Sequence, residues 1–194
     1  MQLAIWYNSS KKAGDLAEKI SKDFGVRANA YQVDVRDYSA VEAAVAKVVE
    51  DFGRLDVMIT NAGIPTKAGG LDDRVEDWNN VRAVDFDGAY YCLRAAGLVF
   101  RNQRRGVAVV TASMSGHAAN VPQEQSCYNA CKAGVVRISS ISKFMTWLLI
   151  HYGERCRFIW RSLFRWSGRS GEAASTPSHL GISTPKSRAT APLR

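Results

Sequence analysis

Short apolar runs alternate with longer stretches of helical periodicity from residue 3 into the 140s, and no other feature of the chain restricts its fold as much. Leu3–Tyr7, Ala28–Val33, Leu55–Thr60 and Gly106–Thr111 have the length and content of strands. Between the first two, Ala13, Leu16, Ala17 and Ile20 recur at helical spacing over residues 11–24, and Gly25 follows. Val41, Ala44, Val45, Val48, Val49 and Phe52 repeat the pattern over residues 38–52, before Gly53. Glu76 to Arg101 reads as largely helical, and a further helix is expected from about Gln125 into the 140s. Strands alternating with helices predict an α/β fold, a parallel sheet covered on both faces. Ligands of such sheets bind at the carboxyl ends of the strands. Here those ends carry Asn8-Ser9, Asp34, Asn61-Ala62-Gly63 and Ser113, a rim of small and polar residues that is a candidate site.

Composition narrows the function classes. The 194 residues, 46% of them apolar, suffice for one domain with a core. The cysteines at 92, 127, 131 and 156 lack paired metal-ligand spacing, so no metal site is expected. They read as small buried residues of a reducing compartment, which points to the cytoplasm. No leader pattern opens the sequence, and its longest apolar run, residues 144–150, is too short to span a membrane. The net charge of +8 belongs mainly to one end: residues 151–194 hold eight basic and two acidic side chains, whereas residues 1–150 are close to balance.

Tyr128 and Lys132 are four apart on a predicted helix and therefore share a face. An ammonium beside a phenol favours the phenolate, so such a phenol can exchange a proton with a substrate hydroxyl or carbonyl. Alone, the spacing is common by chance. Its company is not: Asp34-Val35, Thr60-Asn61-Ala62-Gly63, Ser113-Met114-Ser115-Gly116 and Tyr128-x-x-x-Lys132 follow the strands in order. With these motifs residues 2–143 resemble the short-chain dehydrogenase/reductase family of Rossmann-fold, NAD(P)-dependent oxidoreductases. The wording around Trp6-Tyr7-Asn8-Ser9 and Ser113–His117 is similar to its fungal mannitol dehydrogenase and sorbose reductase branch.

The resemblance implies a role for each matching residue. Tyr128 is the general acid/base, Lys132 lowers its pKa and holds the nicotinamide ribose, and Ser113 hydrogen-bonds the substrate oxygen. Asn61, Ala62 and Gly63 lie beside the cofactor ribose, and Asp34 and Val35 hold the adenine. Met114 and Ser115 face the substrate, a small carbonyl or alcohol, with His117 and Asn120 on the same loop. For His117 a solvated loop histidine is the preferred reading. Asp85 stands where the family has an asparagine that steadies a water in the proton relay. The cofactor is expected to be NADP: Asn8 and Ser9 are followed by Ser10, Lys11 and Lys12, and no acid occurs before Asp15 to repel a 2′-phosphate. Homo-oligomers are expected through the helices near 85–101 and 125–143.

The chain also departs from the pattern. The family's first strand and glycine-rich loop are not seen, so the chain starts at the second strand. Either the strands beside the gap close on each other or two edges stay unpaired. The expected architecture is thus a truncated, doubly wound Rossmann-like sheet over residues 1–148, lacking first and last strands, with a disordered basic tail over 149–194. Residues 170–194 hold 11 Ser, Thr or Pro, a composition that also fits a shifted reading frame or an unspliced intron. Arg157, Arg161 and Arg165 are spaced by four, but an unselected extension is the preferred reading, with no nucleic-acid or membrane partner. The functional expectation is NADP(H)-dependent interconversion of a ketone and a secondary alcohol of polyol or sugar type. The alternative is a non-catalytic fragment of such an enzyme with weak or no cofactor binding.

Overall fold

The computed structural model describes residues 1–139 and the backbone of Met145–Leu149. The domain boundary at 148–149 and the arginines of the tail lie at or outside the described residues. Among the described residues strands alternate with helices. They are β1 (Leu3–Tyr7), α1 (Ala13–Phe24), β2 (Ala28–Gln32), α2 (Tyr38–Phe52), β3 (Val57–Thr60), α3 (Val75–Arg82), α4 (Gly88–Gln103), β4 (Val107–Thr111), α5 (Ser126–Ser139) and β5 (Met145–Leu149), with α3 and α4 following one another between β3 and β4. All strand pairings are parallel, as the alternation predicts.

Local chemistry sets the helix limits. The Asp37 carboxylate accepts the Ser39 and Ala40 amides and starts α2, a cap typically contributing about 1 kcal/mol. The apolar face of α2 (Val41, Ala44, Val45) packs with Val33, Met58, Cys92, Ala96, Phe100 and Ala108 into the main core. Full burial of a side chain such as Phe100 contributes on the order of 1.5–3 kcal/mol. A smaller cluster joins Val81, Cys127 and Cys131, with Tyr128 packed against it. Burial pushes the Cys92 and Cys131 thiols up to about 12, so they serve as packing groups.

Three features differ from the sequence expectation. The long helix over 76–101 is two helices joined by a π-helical turn, Ala83–Asp87. Such a turn adds one residue to the ladder and re-aims side chains; here it buries Asp85 to 1% exposure. Second, the sheet continues past Lys143, where the sequence reading ends the resemblance. The apolar run at 145–149 forms β5, paired with β4 along its whole length.

Third, the sheet is in two parts, β1-β2 and β3-β4-β5. Among the described residues β1 and β3 do not pair, so the flanking strands have not closed up. A cavity of about 970 Å³ lies between them, lined by Leu3, Ala4, Trp6, Tyr7 and Asn8 on one side and by residues 57–61 on the other. Val57 and Ile59 are 49% and 59% exposed, high for a strand of a parallel sheet.

Candidate active site

The site is built from the C-terminal ends of β3 and β4 and the first turns of α5. β4 delivers Thr111, Ala112 and Ser113. The Ser113 hydroxyl accepts the Ser115 amide and starts a one-turn 3-10 helix, Met114–Gly116. That turn lies directly on α5. A Cβ on Gly116 would come within 2.8 Å of the Lys132 carbonyl oxygen, which explains the glycine in the Ser-Met-Ser-Gly motif. Loop and helix are thereby held in register, and Ser113, Tyr128 and Lys132 all open on one cavity of about 820 Å³. Asn61, Gly63, Met114, Ser115, Asn120 and Gln125 also line it.

Lys132 is 4% exposed and held from three sides. Its ammonium donates to the Thr111 carbonyl at 3.3 Å, lies 3.2 Å from Asp85 Oδ1 and sits 5.4 Å from the centre of the Tyr128 ring. Asp85 is in turn fixed by the Ile64 amide, which donates to Oδ2 at 2.8 Å. Gly63 closes the arrangement: a Cβ there would stand 2.8 Å from Asp85 Oδ1 and 3.3 Å from Lys132 Nζ. One carboxylate therefore ties the loop after β3 to the lysine of α5. Burial lifts the Asp85 carboxyl above its ordinary value, a larger effect than the opposing Ile64 hydrogen bond and Lys132 charge.

A second polar chain runs behind the serines. Ser113 Oγ donates to Ser115 Oγ at 3.1 Å, and Asn120 Nδ2 donates to Ser115 Oγ at 2.9 Å and to Gln125 Oε1 at 3.0 Å. The sequence names Asn120 only as a loop neighbour and does not find Gln125. Its place three residues before Tyr128 is the signal that could have found it.

The remaining expected residues divide. Asn8, Asp34 and Val35 line the cavity between β1 and β3, and Asn61, Gly63 and Ile64 border both cavities, so the strand-end rim is continuous. Ala62 lines the β1–β3 side alone. Ser9 and His117 are exposed and line neither cavity. Asp85, expected among the catalytic groups, lines neither cavity and contacts Lys132 and the Ile64 amide. Arg36 grips the Asp34 carboxylate with Nε and Nη2 at 2.6–3.0 Å, and these hydrogen bonds hold that carboxyl below its usual range.

A parallel α/β sheet with serine, tyrosine and lysine converging at its strand ends defines a Rossmann-type oxidoreductase. A family model described as enoyl-(acyl carrier protein) reductase matches residues 1–160, so the match runs beyond Lys143. The chain belongs to the short-chain dehydrogenase/reductase family. It is 40% identical over 188 residues to an NADP-dependent mannitol dehydrogenase of Hypocrea jecorina, covering 88% of this chain and 70% of that protein. It is 42% identical over 139 residues to a sorbose reductase of Schizosaccharomyces pombe, covering 71% of this chain and 54% of that one. The crystal structure of an NADPH-dependent 3-quinuclidinone reductase from Rhodotorula rubra superposes with a TM-score of 0.66 at 33% identity, over 71% of this chain and 52% of that one. The chain thus spans about half the length of several proteins it matches, among them a probable mannitol dehydrogenase of Yarrowia lipolytica at 50%.

Proposed function

We propose that the chain is an NADP(H)-dependent oxidoreductase interconverting a ketone and a secondary alcohol of polyol or sugar type. The observation that carries this reading is the convergence of the Ser113 hydroxyl, the Tyr128 phenol and the Lys132 ammonium on one cavity. Ser113 hydrogen-bonds the substrate oxygen and steadies charge that develops there. Tyr128 gives or takes the proton on that oxygen. Lys132, fixed by Thr111 and Asp85, sits beside the phenol. The donor set suits a dinucleotide: Asn61–Gly63 lie between the two cavities, with Asn8, Asp34 and Val35 on one side and Lys132 on the other. When bound, the nicotinamide supplies the hydride chemistry.

The preference for NADP rests on the end of β1. No acid follows it before Asp15, and Lys11 and Lys12 are exposed at the start of α1. A carboxylate there would bind two ribose hydroxyls and repel a 2′-phosphate. The polyol or sugar substrate rests on the relatives' activities, and pairing of two copies through α4 and α5 is part of the same reading. NADPH oxidation with a ketose, compared between the chain and Tyr128→Phe, tests it. NADPH oxidation that depends on both ketose and Tyr128 supports the reading; no ketose-dependent oxidation refutes it.

The open cavity between β1 and β3 favours a second reading, a fragment of such an enzyme that lacks turnover. NADPH fluorescence titration separates the two, since saturable micromolar binding contradicts the fragment reading.

A further inference from the structure

The Lys132 ammonium has two neighbours of opposite consequence. The Tyr128 ring lies 5.4 Å from it and the Asp85 carboxylate 3.2 Å, with both side chains of the ion pair at 5% exposure or less. Among the described residues no neutral group donates to Asp85 Oδ1, so that oxygen answers to the lysine alone. Out of water, such a pair acts on a third group as a dipole rather than as a full positive charge. No other charge takes the place of Asp85. β3, β4 and β5 carry no titratable side chain. Cys127 and Cys131 flank Tyr128 on α5, their thiols pushed up by burial and therefore neutral. On α3 Asp77 is paired with Lys67 and Arg74, and Arg82 with Asp87 of the π-helical turn. Asp73, before α3, accepts the Ala68 amide, and Arg94 of α4 turns to Tyr38. Glu76, Tyr90, His117, Glu124 and Arg137 are exposed, and Tyr91 and Cys92 belong to the main core.

We propose that Asp85 is a positioning residue for proton transfer: it binds Lys132 and withholds the lysine charge from the Tyr128 phenol. A neutral residue at 85 would leave the full ammonium charge to favour the phenolate. The ion pair favours the protonated phenol by comparison. That is the form that gives its O–H proton to a carbonyl oxygen, whereas the phenolate takes one from an alcohol. Asp85 thereby sets the pH at which this site changes from proton donor to proton acceptor. The proposal rests on the reading of Tyr128 as the group that transfers the proton.

The test follows Tyr128 by NMR of the full chain, isotope-labelled at the tyrosine ring carbon that bears the hydroxyl; the Tyr128 signal is the one lost in Tyr128→Phe. Asp85→Asn should move the phenol-to-phenolate midpoint down by about one pH unit, a tenfold gain in phenolate at a given pH. Asp85→Asn/Lys132→Met removes both charges and leaves no lone buried ion, so it should return the midpoint to within about half a unit of the unaltered chain. Circular dichroism checks that each variant folds, and the double variant decides if the single one does not. An unmoved midpoint in Asp85→Asn, or one raised by about a unit or more in the double variant, overturns the proposal. Mannitol oxidation with NADP+, followed against pH, should show the same displacement toward acid in Asp85→Asn. If no variant oxidises mannitol yet the midpoints move as expected, the proposed reaction fails and the assignment of Asp85 stands. Tyr128-dependent oxidation with the same pH profile in Asp85→Asn overturns the assignment and leaves the reaction standing.

Discussion

Asp85 is the residue whose chemistry departs furthest from what its position implies in the family. An asparagine there would be neutral, whereas here a carboxylate lies 3.2 Å from the Lys132 ammonium, both nearly inaccessible to solvent. Removing one partner of a buried pair leaves the other charge uncompensated. Lys132→Met should therefore cost about 3–5 kcal/mol in urea unfolding, far more than a surface lysine; a loss within about 0.5 kcal/mol would show that the pair does not hold the site. The pH dependence has a defined sign. Burial raises the Asp85 carboxyl on folding. Its contribution to stability is then fully present below the unfolded value of about 3.9 and is lost as pH rises through the higher folded value. Asp85→Asn keeps an acceptor for the Ile64 amide and removes that titration. The stability of this variant relative to the unaltered chain should increase from acid to neutral pH, and a flat difference would contradict the assignment.

At the scale of elements, two contacts decide whether the site is assembled. The serine turn lies on α5 at Gly116, where an added methyl meets backbone that cannot rotate away. Gly116→Ala should destabilise by roughly 1–3 kcal/mol, measured by thermal or urea unfolding, because the turn must lift off the helix. A neutral outcome would mean that the turn is free to shift. The other contact is one that is missing, between β1 and β3. Leu3 and Tyr7 bond toward β2. By strand alternation Ala4 and Trp6 turn their amides to the cavity. The Asp56 carbonyl accepts from Val107 on β4, so Val57 and Ile59 turn theirs to the same cavity. Hydrogen exchange at Ala4, Trp6, Val57 and Ile59 should exceed that of the β4 amides by at least about tenfold. Strong protection at these four would show that the gap is closed in solution.

Across the whole molecule, the alternating elements and the ordered strand-end motifs were legible because each depends on local chemistry: apolar period, a glycine after a helix, a serine at a strand end. The parallel topology placed Ser113 on the strand-end rim, and the family resemblance implied that Tyr128 and Lys132 join it there. What the sequence did not show depends on contacts between distant segments. No residue around Val84-Asp85-Phe86 signals a π-helical turn, so the direct Asp85–Lys132 pair was hidden behind the expectation of a bridging water. The Asn120–Gln125 bond needs the loop to return to the start of α5. The end of the resemblance near Lys143 was drawn too early, because the apolar run at 144–150 was weighed only as a membrane span and its strand character shows in its pairing with β4.

The proton-handling assignment is tested by NADPH oxidation with a ketose in the unaltered chain and in Tyr128→Phe, with NADPH fluorescence titration of both. The expected result is similar NADPH affinity in the two proteins and turnover reduced by at least about 100-fold in the variant. Equal rates in both would contradict the role of Tyr128. No saturable NADPH binding by the unaltered chain would contradict the cofactor site itself.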